Sequence, residues 1–416
     1  MARHIRFEQA PDHEWRSRAA QVIPGGSSTG SKRPDALYGS RANDAAVPSH
    51  YERAHGCRIW STDGREFIDC GMALGAVGIG YADEQVTRAV QEAAAAGPVT
   101  SLPHRLEVEV AEQLVNVIPS AERVRFLRTG AEATSAAVRL ARTITGRQRI
   151  VASGYFGWLD WNSDAVGVPQ STRDLVTWVP FGDIPALEAA VRTGESPAAI
   201  ILEPLVHDIA PVAWLEAARR LADAQQALLV FDEVKTCFRV RTGGVQALTG
   251  VTPDLTAIGK ALANGYPLAA VVGRADAMDA ATRTWISSTA AAEATGLAAA
   301  AAVLAWHERL DVCDRMATAG GVLQDIIGSA LADAPWVGVK AEGPPMMWRL
   351  TADVPEQLDA LVAAAAHEGV LLKRGAYQFG ALAHDDDALD AVARAMPAVM
   401  DALRPGPRRV DDRFRE

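Results

Sequence analysis

The sequence predicts an α/β fold, a large domain with a mainly parallel central sheet joined to a smaller α+β domain drawn from both chain ends. Three observations carry that expectation. Strand-length apolar runs alternate with helical apolar spacing across residues 71–310, the pattern of a sheet built through crossover connections. Two of those runs, 198–202 and 227–231, are apolar throughout and deliver an acid at the carboxyl end, Glu203 and Asp232. Outside that region, 1–70 carries a hairpin pattern and 311–416 mixes helix and strand patterns, so the expected divisions are 1–70, 71–310 and 311–416.

Composition narrows the partners. A chain of 416 residues with 49% hydrophobic and 22% charged residues has ample apolar material for a large core and a second lobe. Its net charge is −10, and no like-charge run exceeds Asp385-Asp386-Asp387, so nucleic acid and anionic membrane are not expected partners. Small molecules are. Cys57, Cys70, Cys237 and Cys313 lie far apart without ligand spacing, which argues against a zinc site or disulfide framework and reads as reduced thiols in a cytoplasmic protein. The first residues lack an apolar signal core, and no run reaches the roughly 18 apolar residues of a membrane span. Glu293 and Thr295 interrupt the alanine-rich stretch 290–305, which reads as a packed helix.

Taken in order, Pro24-Gly-Gly-Ser-Ser-Thr-Gly-Ser-Lys-Arg-Pro34 is a loop too glycine-rich for a helix or central strand. Alternating apolar residues around Asp63-Gly64 predict a hairpin over 56–69, and 75–80 is a turn-rich crossing segment. Leu106, Val110, Leu114 and Val115 share helical spacing closed by Pro119, and 124–127 is a strand. The helix opening at Thr129-Gly-Ala-Glu-Ala places 133, 137, 140, 141 and 144 on one apolar face. A strand, a small-residue turn and a helix start make an anion site, because unpaired amides and the helix dipole converge there. Further on, 150–158 is a strand ending in aromatics, 268–273 a strand, and about 290–325 one long helix. Strands at 344–350 and 369–373 flank a helix at 355–368, and the charged tail after Pro405 is expected to be mobile.

The chemistry rests on Asp232 and on Lys260, which follows a second short apolar segment and Gly259. A carboxylate at the end of a buried strand can pair with a protonated ring nitrogen, and a partly desolvated lysine can form a Schiff base with an aldehyde. Pyridoxal phosphate asks for both groups. Either residue alone is ordinary, since strand-end acids and solvated lysines are common; their combination with the anion site gives them meaning.

The block Leu229-Val-Phe-Asp-Glu-Val-Lys-Thr-Cys-Phe-Arg239, then Gly243-Gly244, then 250–274 with Ala257-Ile-Gly-Lys260, resembles the core of class III pyridoxal-phosphate aminotransferases. Within that class it is most similar to the glutamate-1-semialdehyde aminomutase branch. The resemblance implies a fold-type I transferase acting as a homodimer, with Lys260 and Asp232 catalytic and no metal. It implies that Gly130 and Ala131 hold the phosphate, that Tyr155 stacks on the ring with Phe156 in the usual histidine position, and that Val234 covers the opposite face. Glu203 matches the Glu-Pro glutamate, with His207 and Asp208 as candidates for the ring hydroxyl. Ser287, Ser288 and Thr289 replace the family's Ser-Gly-Asn-Pro stretch as phosphate donors, where a partner subunit usually completes the site. The Pro-Gly-Gly loop implies substrate contacts from Ser28, Lys32 and Arg33, the last two suited to a carboxylate, and Trp158 falls in the aromatic-rich wall at 155–161.

Two departures bear on the reaction. The loop lacks the aminomutase's Ser-Pro-Val-Arg, and Tyr377-Gln-Phe-Gly380 stands where that branch has Ser-Gln-Phe-Glu-Ala. The expectation is therefore an aminotransferase, with a pyridoxal-phosphate isomerase (aminomutase or racemase) as the alternative.

Overall fold

The computed structural model describes residues 11–405, and these divide into two compact units, with boundaries between Leu74 and Gly75 and between Ala317 and Thr318. The first unit begins with an antiparallel meander of β1 (Tyr51–His55), β2 (Arg58–Ser61) and β3 (Glu66–Asp69). Gly64, at φ +84°, turns the β2–β3 connection, and Ser61 and Arg65 close it with a 2.9 Å backbone hydrogen bond.

The second unit is built on seven strands, β4 (Arg123–Leu127), β5 (Ile150–Ser153), β6 (Val176–Trp178), β7 (Ala199–Leu202), β8 (Leu228–Asp232), β9 (Leu255–Ile258) and β10 (Ala269–Gly273), in spatial order 4-10-9-8-7-5-6. Strands 9, 8, 7, 5 and 6 run parallel, whereas β10 is antiparallel to both neighbours. Every residue of β7 through β10 is buried, which explains their nearly continuous apolar sequence. Helix Gly130–Thr145 lays Ala133, Ala137, Leu140 and Ala141 into this core, with Ile144 at its margin.

The chain then returns to the first unit. Strands β11 (Val339–Glu342), β12 (Trp348–Ala352) and β14 (Tyr377–Gln378) form a small sheet, and β13 (Val370–Leu371) joins β3 in parallel. The two chain ends are tied within this unit by the buried Asp359, which accepts the Ser40 amide at 2.7 Å.

Several elements differ from expectation. The single helix over 290–325 is two, Ala294–Arg309 and Val312–Asp333. Glu293 accepts the amides of Thr295 and Gly296 and so starts the first, and Asp311 accepts the Asp314 amide at 3.0 Å and starts the second. Val115 is exposed, and Ile118 fills the buried place at that end. The loop at 24–34 contains two single 3-10 turns, Pro24–Gly26 and Gly30–Lys32. Residues 344–347 form a turn, with Met347 donating to the Pro344 carbonyl, so the strand begins at Trp348. Among the described residues no helix is long and apolar enough to cross a membrane. The tail after Pro405 lies outside the described residues.

Candidate active site

Parallel strands bring their carboxyl ends to one edge of a sheet, and side chains just past those ends converge. Register fixes which ones: Leu202 lies opposite Phe231, and Asp232 opposite Ala257. Glu203, Asp232 and the segment leading to Lys260 therefore meet at neighbouring strand ends.

Asp232 is buried and accepts the Val234 amide at 2.9 Å. Its carboxyl is pushed above the usual range first by burial and then by the charge of Glu203, against the opposing pull of Lys235 and Lys260. Glu203, also buried, accepts the Tyr155 amide at 2.8 Å and pairs with Lys235 at 2.7 Å. Lys260 is half-buried with φ at +48°, a left-handed conformation that costs a non-glycine residue roughly 1–3 kcal/mol. Burial first, and the Lys235 charge second, lower its amine to about 8. The turn Lys260–Ala263 is anchored at Asn264, which accepts the amides of Gly78 and Ile79 and donates to the Gly80 carbonyl.

The anion end is built by helix Gly130–Thr145. Thr129 caps the Glu132 amide while Glu132 accepts the amides of Arg128 and Thr129, each at 2.9 Å. Gly130 and Ala131 occupy the first turn, where amides have no acceptor inside the helix. Both are approached closely. A Cβ on Gly130 would lie 2.8 Å from Val234 Cγ1, and one on Gly157 (φ +96°) 2.4 Å from the Ala131 Cβ. Gly157→Ala should therefore push on the helix start and lower stability by about 1–3 kcal/mol, read as a fall in the urea midpoint, with weaker cofactor binding. Phe156 is core, stacked on Trp178 at 6.0 Å, and its carbonyl accepts the Thr134 hydroxyl. Tyr155 is 70% exposed at the open end of β5.

The other sequence candidates sit on loops and turns. His207 and Asp208 are exposed on a tight reversal bridged at Leu205 and Ile209, and Asp208 accepts the Ile209 amide of its own loop. Ser287, Ser288 and Thr289 line a cavity of about 270 Å³ with Leu102, His104 and Arg125. Trp158 is 75% exposed. Ser28, Lys32 and Arg33 belong to the other unit, where Arg33 lies against Gly25 and Lys373 donates to the Ser31 carbonyl.

Sequence reasoning passed over Lys235, Arg239 and Glu233. Arg239 is fully buried, donates to the Gly75 carbonyl, and is lowered to about 10 by burial. Glu233 is buried, accepts the Val245 and Gln246 amides, and so fixes helix Gly244–Thr249. All three lie inside the quoted block, but a charged residue beside a strand end reads as solvated unless its partner is known.

This donor set fits pyridoxal 5′-phosphate: a buried acid for the ring nitrogen, an amine of lowered pKa, two first-turn amides for the phosphate, and an apolar Val234 between them. Fold and site together define a fold-type I enzyme using that cofactor.

The family model for Aminotransferase class-III matches residues 39–159 and 183–398, and the chain belongs to that family. It is 38% identical over 283 residues to glutamate-1-semialdehyde 2,1-aminomutase of Methanothrix thermoacetophila, a match spanning 63% of this chain and 63% of that enzyme. It is 34% identical over 312 residues to 3-aminobutyryl-CoA aminotransferase of Cloacimonas acidaminovorans, covering 73% and 74% of the two chains. Among solved structures, the pyridoxal-phosphate internal aldimine form of FumI from Sphingopyxis sp. MTA144 superposes with a TM-score of 0.88 at 28% identity, covering 94% of this chain and 96% of that one.

Proposed function

We propose that the protein is an aminotransferase that moves an amino group between a small amino donor and a keto or aldehyde acceptor, with Lys260 as the cofactor-bearing lysine. The observation that carries the choice is Gly380. It is buried, and its amide lies 3.2 Å from where a Cβ on Gly320 would sit, so helix Val312–Asp333 runs directly over its backbone. The carboxylate that the aminomutase pattern carries in Ser-Gln-Phe-Glu-Ala is replaced by hydrogen at a packed position. The 38% identity to an aminomutase favours a second reading, an isomerase using the same lysine.

When bound, the cofactor supplies an electron sink for charge developing at the substrate α-carbon. Asp232 keeps a proton on the ring nitrogen, and the Gly130 and Ala131 amides orient the phosphate. Val234 would supply an apolar wall beside the ring, and Tyr155 an aromatic one. Lys260 Nζ takes the α-proton and returns it, a role suited to an amine lowered to about 8.

A homodimer is part of this reading. The segments lining the Ser288 cavity expose Leu102 and Val99, with Trp285 exposed just before Ile286, an apolar face suited to a second copy. Four separate buried thiols suit a reducing cytoplasmic setting.

The test is the visible spectrum of the purified protein on addition of single amino donors without acceptor. Bleaching of the yellow colour with one equivalent of keto product is expected. Isomerised substrate without lasting bleaching would establish the second reading, and a protein unable to take up the cofactor would overturn both.

A further inference from the structure

We propose that Lys235 is a positioning residue that disfavours a proton on the Lys260 amine, and that Glu203 holds Lys235 in that place. This rests on the reading of Lys260 as the reactive amine. Four ionisable groups meet at the ends of β7, β8 and β9: two acids, Glu203 and Asp232, and two amines, Lys235 and Lys260. Asp232 is committed to the ring nitrogen. The other acid would otherwise draw a proton onto Lys260, because a buried carboxylate favours the ammonium form of any amine near it.

Glu203 is fixed in position. One carboxylate oxygen accepts the Tyr155 amide at 2.8 Å and the other meets Lys235 Nζ at 2.7 Å. Gly154 has φ +133°, and a Cβ there would stand 2.6 Å from Glu203 Cγ, so glycine is what lets the strand end close on this side chain. The side chains of Lys235 and Glu203 are only 12% and 4% exposed, so solvent screens the pair weakly. Lys235 then acts twice on Lys260: it occupies Glu203, and it opposes a second ammonium nearby. The charged groups acting on Lys260 are Lys235 and Arg239, which disfavour its proton, and Asp232 and Glu203, which favour it. Removing Lys235 tips that set toward the ammonium.

The experiment follows Lys260 in the full chain after cofactor removal, by competitive acetylation with acetic anhydride from about pH 6 to about pH 10, quantified at Lys260 by mass spectrometry. In Lys235→Met the midpoint for Lys260 should rise by about one unit, so labelling at pH 7 falls about tenfold. Lys235→Arg should retain the wild-type profile, since the charge is kept. The double variant Lys235→Met with Glu203→Gln removes one group of each sign and should fall between the single variant and wild type; it also removes the stranded buried charge that could unfold the single variant. An unchanged midpoint in Lys235→Met, equal effects of Arg and Met, or a double variant as shifted as the single one would each overturn the proposal. Lys260→Ala with normal turnover would remove Lys260 from the chemistry and leave this titration readable, so the two readings fail separately.

Discussion

Lys260→Ala should lose at least about a thousandfold in turnover while the cofactor-free protein becomes more stable at neutral pH. On the proposed reading one amine serves as attachment point and proton carrier, and alanine can do neither. The fold should survive. Residue 260 sits at φ +48°, where alanine is strained as lysine is, so the exchange adds no backbone cost.

The gain follows from linkage. In the folded state the Lys260 amine is lowered from its ordinary value of 10.5 to about 8, so between those values the unfolded chain binds more protons. Stability contributed by this residue is therefore reduced below pH 8 and recovers as pH rises toward 10.5. Alanine removes the deficit, so the difference in Tm between variant and wild type should be larger at pH 7 than above pH 10. Near-normal turnover in the variant would remove Lys260 from the mechanism. An equal Tm difference at both pH values would show that its amine is not desolvated in the folded protein.

The residues of this site differ in how far the sequence alone exposes them. Asp232 and Lys260 were legible because each ends a short apolar run, and a run buried on both faces leaves a chain signature that needs no knowledge of neighbours. The helix start was legible twice over, since Thr129 and Glu132 form a capping box that is itself a local pattern. The pairing of Glu203 with Lys235 was not legible. It depends on β7 lying beside β8, and strand order is a property of the whole sheet rather than of either segment.

Strand direction was hidden for a similar reason. Residues 269–273 read like any buried strand, but the compact turn at Lys260–Ala263 returns the chain directly to the sheet, and β10 runs antiparallel. The broken helix at Leu310 shows the opposite failure. Its alanine-rich composition favours helix throughout, yet the Asp311 side chain competes for the Asp314 amide and starts a new one. Arg239 and Glu233 illustrate burial outweighing residue type, because their partners are backbone groups that no sequence pattern marks.

Asp232→Asn should keep cofactor binding yet lose about a hundredfold or more in rate, because a neutral amide cannot hold a proton on the ring nitrogen as charge develops at the substrate. The same substitution should stabilise the cofactor-free protein. Burial and the Glu203 charge raise the Asp232 carboxyl above its ordinary value, so above that ordinary value the folded state holds a proton that the unfolded chain has released. The residue's contribution to stability therefore falls as pH rises from about 4 toward the raised value, and asparagine, with nothing to ionise, escapes that fall. Urea midpoints of the cofactor-free proteins should coincide near pH 4 and separate in favour of asparagine at pH 7.5. Loading the cofactor should narrow or reverse the gap, since a ring cation gives the aspartate the partner its burial withholds. A variant with wild-type rate would take Asp232 out of the reaction. A gap that does not change with pH would mean that the Asp232 carboxyl titrates alike in folded and unfolded chains, and that its burial is not what readies it for a cation.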